Sequence, residues 1–391
     1  MPSMSLDIAD PRTPSETVAA MHAPLIELAK ARLEATSEIR ADEIDRALTG
    51  VLMERLRSGE ALLLADAIAA APSVAIARQL WRRLIDAWAL ATRADSGGDI
   101  VAALFAIPVV IVAGSPSSTD GAPPTAAISG LLADTARLAA ILREHGALAG
   151  NQAFGFANAL VAADAIDVPK MSELLAWQTL AASSDFRERD LPPTPIAVQP
   201  GQQSVHLRFL IGTALAGRGT DVLVAAEMTG WPMPFSLELA GQLASPTLSV
   251  LALPRAPQSP PAALQQGRAA QREVGAQLFA SNAIRKLRAA VGEPSAVISA
   301  HRSAAAPGGG ELRLSLSSPF DSRQAEGFRC PLFPTDSASD VAAMLVDLLR
   351  ECRVADVRIL RGVHADRHPQ TGVTLLFRAD SVGDAEPTSL H

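Results

Sequence analysis

The sequence predicts an α+β or α/β protein, with an all-helical N-terminal domain followed by an α/β domain of two pseudo-repeated ββαβ units. Two observations lead to this prediction. The hydrophobic pattern changes from a period of three to four residues to strict alternation at a proline-rich segment, residues 190–201. Beyond it, strand, turn, strand, proline-flanked corner, helix and strand are expected twice, in residues 205–253 and again in residues 296–363. This internal repeat is a prediction about architecture and says little about chemistry.

The same signals divide the chain into five segments. We expect a disordered N-terminus at residues 1–14, a mainly helical domain at 15–188, a proline-rich linker at 189–202, an α/β domain at 203–380 and a loose tail at 381–391. Four prolines in the linker oppose helix formation and favour extended backbone. The linker is therefore the clearest boundary that the sequence offers.

Within the helical domain, one short apolar run has two interpretations. Residues 107–114 are rich in β-branched side chains and end in glycine, which is typical of a buried strand. Pro108 inside this run equally fits the broken end of a buried helix. The sequence leaves strand and helix open here, while residues 154–165 and 171–182 are predicted to be helical.

The α/β domain shows the alternation expected of strands that are half buried. Apolar and polar side chains alternate in residues 205–211 and 312–316. A helix is expected to begin after Ser337, because Ser337 and Asp340 have the spacing of a capping box. A second, longer helix at residues 264–291 would bridge the two repeats.

Composition and charge narrow the functional classes. Hydrophobic residues make up 48% of the 391 residues, which excludes general disorder, whereas aromatic residues are only 4% and tyrosine is absent. The net charge of −7 argues against broad nucleic-acid binding. No apolar run reaches the ~20 residues that span a bilayer, so we expect no membrane insertion.

The cysteines and the N-terminus suggest a reducing compartment. Cys330 and Cys352 are too few for a disulfide framework and are interpreted as small buried side chains. Residues 1–14 lack the basic and apolar regions of a signal peptide. A soluble protein of the cytoplasm is therefore expected.

One cluster of residues has the composition of a metal site. His364, Asp366 and His368 alternate along the chain, and extended backbone would put all three side chains on one side. Two imidazoles and a carboxylate can bind a divalent transition metal. The alternative is an ordinary solvated hairpin loop, since Pro369 and Gly372 follow. No other cofactor is indicated, because no phosphate-binding loop or dinucleotide-binding motif is present.

Two further histidines are candidates for catalysis. His206 lies on the polar side of a predicted strand, and His301 lies on the corresponding strand of the second repeat. If the duplication holds, the two imidazoles can converge across a pseudo-twofold axis and act as acid–base groups. In the alternative interpretation, they never meet.

Two groups of residues are candidates for binding a partner protein. The long helix carries a locally basic series in an otherwise acidic chain, and this series faces either an acidic partner or water. The two proline-flanked corners, at residues 231–235 and 328–334, are apolar and either dock a partner or pack under the sheets. The candidates are Arg268, Arg272, Arg285, Lys286, Arg288, Trp231 and Phe235.

The sequence favours a non-enzymatic assembly, adaptor or accessory protein that acts through contacts with a protein partner or by self-association. This role requires only a complementary surface and no catalytic motif. One alternative is an enzyme, in one version metal-dependent, with its site between the two ββαβ units. The other is a regulatory module that binds a small molecule in the same cleft.

Overall fold

The fold combines helices and sheets, and it is seen in a computed structural model of the chain. The structure describes residues 14–92, 100–114, 126–148, 153–183, 189–198, 203–217, 222, 230–243, 248–253, 259–302, 310–318, 325–360, 363–367 and 374–378. These residues form nine α-helices and thirteen strands, which confirms the mixed α+β class.

The helices differ mainly in length, and the longest is α8 with 32 residues. They are α1 (Pro14–Glu34), α2 (Glu38–Ser58), α3 (Ala61–Ala69), α4 (Val74–Ala91), α5 (Thr135–Glu144), α6 (Val168–Ser183), α7 (Pro232–Gln242), α8 (Pro260–Val291) and α9 (Ala338–Glu351). Helix α8 begins with proline in its first turn, where no N–H partner is needed, and ends before Gly292 at a φ of 89°. Serine side chains cap α2, α4 and α9 by accepting a bond from a backbone N–H in the first turn.

The strands form two larger sheets and two small ones. They are β1 (Ile100–Ala113), β2 (Ala126–Ile128), β3 (Phe154–Phe156), β4 (Val161–Ala162), β5 (Ile196–Val198), β6 (Ser204–Gly217), β7 (Leu248–Ala252), β8 (Ser295–Arg302), β9 (Gly310–Ser317), β10 (Ala325–Leu332), β11 (Val357–Leu360), β12 (Val363–Arg367) and β13 (Thr374–Arg378). The first sheet has the order β3-β6-β1-β7, with β4 also on β6, and the second has the order β10-β9-β8-β11. The small sheets are β2-β5 and β12-β13.

The first sheet is buried on both faces. Strands β1 and β6 pair antiparallel along their full length of 14 residues each. Alternate residues of both strands point into two separate cores, one with α1–α4 and α6 and the other with α5 and α7. Because both faces are covered, β1 is apolar at every position instead of alternating, whereas the start of β6 still carries His206 and Arg208 between apolar residues.

The structure resolves one open choice and corrects one prediction for the N-terminal half. Residues 107–113 belong to strand β1, so the open choice between strand and helix is resolved as strand. Residues 154–165 are not a helix, since they form β3, β4 and a 3₁₀ turn. The N-terminal region is thus helical through α4 but not all-helical. Strands β1 and β6 lie on opposite sides of the predicted linker and belong to one sheet.

The second sheet has helices on one face. Strands β8, β9 and β10 form an antiparallel meander, and β11 returns through α9 to pair parallel with β8. The C-terminal half of α8 and the apolar side of α9 pack on the leucines of β9. The amphipathic helix predicted after Ser337 is confirmed, and Asp340 donates its backbone N–H to the Ser337 hydroxyl.

The predicted duplication of a ββαβ unit is not confirmed. In the first sheet, β6 takes β1 as its long partner, and β7 is antiparallel to β1. In the second sheet, β11 is parallel to β8. The second strand of the first predicted unit falls within residues 218–229, of which the structure describes only Val222. The two corners thus resemble each other in sequence, while the pairing around them differs.

Candidate protein-binding groove

An open groove of about 1080 Å³ lies between helix α8, strand β10 and the first residues of β6. We call it the α8–β10 groove. Helix α8 contributes one side over residues 271–289, and β10 contributes the other over residues 326–331. Residues 203–205, at the start of β6, close the groove on the first sheet. Since these elements come from both sheets, the groove exists only when the whole fold is assembled.

The floor of the groove is apolar and aromatic. Phe279 of α8 and Phe328 of β10 stack with ring centroids 5.3 Å apart and planes 22° apart. Gly275, one helical turn before Phe279, faces the ring of Phe328, and a Cβ at Gly275 would lie 3.5 Å from Phe328 Cζ. The glycine therefore leaves the floor wider than a larger residue would.

The long side of the groove is an edge strand. Among the described residues, β10 is the outermost strand of its sheet. Pro331 lies opposite Glu311, and because proline has no N–H the two residues cannot exchange two hydrogen bonds. This is therefore a non-hydrogen-bonded pair, in which the backbone groups point away from the neighbouring strand. Such pairs alternate along the ladder, so Arg329 and Gly327 also direct N–H and C=O away from β9. Both residues line the groove.

The rim of the groove is positively charged. Among its described lining residues, the exposed cations are Arg285, Lys286 and Arg329, and the one carboxylate is Glu326, a balance of three minus one, or +2. This contrasts with the net charge of −7 of the whole chain. The carboxylate, Glu326, forms an ion pair with Lys286. Arg285 donates to the side-chain oxygen of Asn282 at 3.1 Å. The fourth cation, Arg272, is engaged at the end of the groove.

The end of the groove is fixed by buried charges. Arg272 forms a two-pronged ion pair with Asp336, and Asp336 also accepts the backbone N–H of Phe333 at 2.7 Å. The guanidinium of Arg268 lies 3.8 Å above the Phe333 ring. Burial lowers the pKa of Arg268 to about 10, against the opposing attraction of Asp336. Arg82 of α4 donates to the Pro334 carbonyl at 2.8 Å. These contacts define what we call the Asp336 seam, which joins the second sheet to the helical region.

A thiol lies near this seam. Cys330 of β10 is buried and unpaired, and desolvation raises the pKa of its thiol to about 11. Arg272 lowers this pKa by a smaller amount, and Asp336 raises it. The thiol therefore stays protonated and poorly nucleophilic at neutral pH.

The structure separates the predicted partner-binding residues into two groups. Arg285 and Lys286 are exposed on the rim of the groove. The other five candidates are either buried or bonded to other residues of this chain. Arg268, Arg272, Trp231 and Phe235 are buried, and Arg288 bonds Glu293 and the carbonyls of Cys352 and Arg353. Trp231 and Phe235 meet edge to face in the core under the first sheet, so they are not part of an exposed surface.

The two candidate catalytic histidines lie in different sheets. His206 of β6 has its Nε2 2.9 Å from the Ser204 hydroxyl, and His301 of β8 has its Nε2 2.8 Å from the Ser299 hydroxyl. Burial lowers the pKa of His206, and the neighbouring Arg208 lowers it further. Each histidine is thus engaged with a serine of its own strand, and the predicted convergence across a pseudo-twofold axis is not observed.

The candidate metal ligands are only partly covered by the structure. His364 and Asp366 lie two residues apart in β12, opposite Phe377 and Leu375 of β13. His368 lies outside the described residues. Within the part of the chain that the structure describes, no group of three or more His, Cys, Asp or Glu is placed to hold a metal ion. The metal site stays a prediction.

Sequence reasoning missed the groove itself. Residues 328–334 were interpreted as an apolar corner, whereas most of them belong to β10. One available signal was Pro331, because a proline next to alternating residues is confined to an edge strand or to a bulge. The pairing of Phe279 with Phe328 joins residues far apart in the chain and leaves no local signal.

Comparison with known proteins does not assign the chain to a family: no protein-family model, curated protein or solved structure matches it. Among the described helices, none combines the length and the apolar character needed to cross a bilayer.

Proposed function

We propose that the protein is a non-enzymatic assembly, adaptor or accessory protein that binds another protein in the α8–β10 groove. The observation that carries this proposal is the combination of an aromatic floor, a cationic rim and an edge strand in one open groove. An interface typically has an apolar centre and a polar rim, and this groove has both.

The shape of the groove favours a polypeptide over a compact small molecule. Strand β10 has eight residues, which extend over about 26 Å at roughly 3.3 Å per residue. A drug-sized ligand is usually enclosed on most of its surface. An extended chain can instead follow a long, open groove and use its whole length.

The lining chemistry favours binding over catalysis. The described lining residues include no histidine, cysteine or aspartate; the Ser204 hydroxyl is engaged with His206 of the same strand, and the carboxylate of Glu326 is paired with Lys286. General acid–base or nucleophilic catalysis uses such side chains. The cationic and aromatic residues present instead suit recognition. A cytoplasmic location is part of the proposal, and the unpaired cysteines are consistent with it.

A site-specific photo-crosslink tests the proposal. Benzoylphenylalanine replaces Asn282, which is exposed in the groove, and as a control replaces Ile39 of α2, which is 77% exposed. In extracts of the native host we expect a discrete crosslinked species from position 282 alone. Arg285→Glu should weaken that species, because it reverses a rim charge.

The product also identifies the partner. A crosslinked species with twice the mass of the chain would show self-association, and a different mass would show a second protein. No product from position 282, or the same products from both positions, in protein with an unchanged circular dichroism spectrum, would contradict the proposed function.

A further inference from the structure

We propose that the groove binds an extended, acidic segment of its protein partner, which adds to β10 as a new edge strand of the second sheet. This makes the proposed function specific and rests on it. The proposal follows from the direction of the β10 backbone groups, the two-residue period of a strand and the charge of the rim.

The backbone supplies the pairing sites. Gly327 and Arg329 each direct an N–H and a C=O away from β9, because both form non-hydrogen-bonded pairs with that strand. An incoming strand can therefore make two hydrogen bonds with each of these residues. Main-chain bonds of this kind give affinity in strand addition, while alternate side chains give specificity. Pro331 offers only its carbonyl, so the pairing weakens toward the end of β10 and the register of the added strand is restricted.

Position 327 tolerates a side chain. A Cβ at Gly327 would meet no atom within 4 Å, and its φ lies outside the left-handed region. The space above this face of β10 is therefore open. The position also accepts alanine without strain, which gives a matched control for experiments on the backbone.

The side chains determine what kind of segment fits. Phe328 points toward α8 and stacks on Phe279, so alternate residues of an added strand would lie over this aromatic floor. Arg285 and Lys286 flank the same side, and Arg329 lies on the opposite face of the strand. The rim balance of +2 favours carboxylates in the partner segment. The occupant is thus an extended segment that alternates apolar and acidic residues.

Peptide binding measured by fluorescence anisotropy tests the inference. The probe is a labelled synthetic peptide of about ten residues that alternates valine and glutamate, and the control peptide has lysine in place of glutamate. We expect the glutamate peptide to bind and the lysine peptide not to bind. Binding should weaken with added salt, because exposed charges are screened.

Two matched changes test the strand pairing. Gly327→Pro removes one outward N–H, while Gly327→Ala keeps it. We expect Gly327→Pro to weaken binding by about tenfold, since an unpaired carbonyl of the peptide is left behind, and Gly327→Ala to change it less than about twofold. A peptide N-methylated at every second residue tests the same bonds from the other side and should also bind about tenfold more weakly to the unmodified protein. This second measurement holds even if Gly327→Pro fails to fold.

The outcomes distinguish this inference from the proposed function. The inference is overturned if the glutamate peptide does not bind, if the lysine peptide binds equally well, or if N-methylation has no effect. The proposed function is judged separately by the crosslink from position 282. A crosslinked partner together with failed peptide binding would leave a protein-binding groove that works without strand addition.

Discussion

The two halves of helix α8 carry the same kind of side chain in opposite environments. Arg268 and Arg272, in the first half, are 9% and 8% exposed and are held by the Asp336 seam. Arg285 and Lys286, about four turns beyond Arg272, are exposed on the groove rim. A basic series on a helix is therefore not one surface. The cations are buried in the half of the helix that packs on the first sheet, and they are exposed in the half that packs on the second sheet.

The difference arises from residues far away in the sequence. Asp336, which pairs with Arg272, is 64 positions distant, in the loop that follows β10. A buried guanidinium requires such a partner, because the cost of desolvating an unpaired charge is large. The exposed cations require no buried counter-ion; Lys286 pairs with Glu326 and Arg285 bonds Asn282 at the surface, where an outside carboxylate can compete. The buried half thus serves stability, and the exposed half is proposed to serve recognition.

The largest effect is expected from breaking the buried half. Asp336→Ala should lower the free energy of unfolding by about 3–5 kcal/mol, because it leaves the buried Arg272 without its counter-ion. Denaturant unfolding followed by circular dichroism measures this change. The control is Glu293→Ala, which removes the exposed partner of Arg288 and should cost less than about 1 kcal/mol. Equal effects of the two substitutions would show that the Asp336 seam is not the more important contact.

Glycine positions of the two halves provide a second, smaller contrast. At Gly267 a Cβ would lie 2.7 Å from Leu207 Cδ1 and 3.2 Å from Phe209 Cζ, so Gly267→Ala should destabilise by about 1 kcal/mol. At Gly275 the nearest atom is Phe328 Cζ at 3.5 Å, and Gly275→Ala should stabilise by about 0.5–1 kcal/mol through helix propensity. Thermal unfolding of both variants measures the difference. If both substitutions raised the unfolding temperature, this would contradict the close packing of the first half of α8 on β6.

Titration of His206 extends the comparison to the first sheet, next to the groove residue Ser204. Since burial and then Arg208 lower the pKa of His206, the folded state favours the neutral imidazole. The unfolded chain binds this proton near pH ~6.5, so the folded protein loses stability as the pH falls below that value. Unfolding free energies of the unmodified protein and of His206→Gln, measured between about pH 7 and about pH 5, should show a shallower decline in the variant. Parallel declines would exclude this contribution.

The smallest effect on stability is expected in the exposed half. Lys286→Ala breaks the ion pair with Glu326 but should change the free energy of unfolding by less than about 0.5 kcal/mol, because exposed pairs contribute little. The same substitution should weaken binding of the valine–glutamate peptide by about two- to fivefold. A change in stability without a change in peptide affinity would reverse the roles assigned to the two halves.

Local patterns in the sequence predicted several elements well. The amphipathic period and the serine cap predicted α9, and the basic, alanine-rich stretch predicted most of α8. Alternation predicted β9 and the start of β6. In α9 and β9 polar residues alternate with the buried apolar face, and the start of β6 carries His206 and Arg208 between apolar residues, so the period is visible in the residues themselves.

Other features were not predictable for a physical reason. Strand β1 is buried on both faces, which removes the alternation that identifies a strand. Its pairing with β6 crosses roughly a hundred residues, and no local pattern encodes such a partner. The groove depends on three elements that are distant in the chain, so its cationic residues were visible in the sequence only as a series on one helix.

Pro331 bears on how this chain behaves at high concentration. An uncovered strand edge is a template on which identical molecules can stack into fibrils, and natural proteins often interrupt such edges with proline or charge. Here the proline removes one donor, and any register that put two Arg329 side chains opposite each other would be unfavourable for like charges. In the proposed mode of binding, the edge thus favours a segment of opposite charge over a second β10.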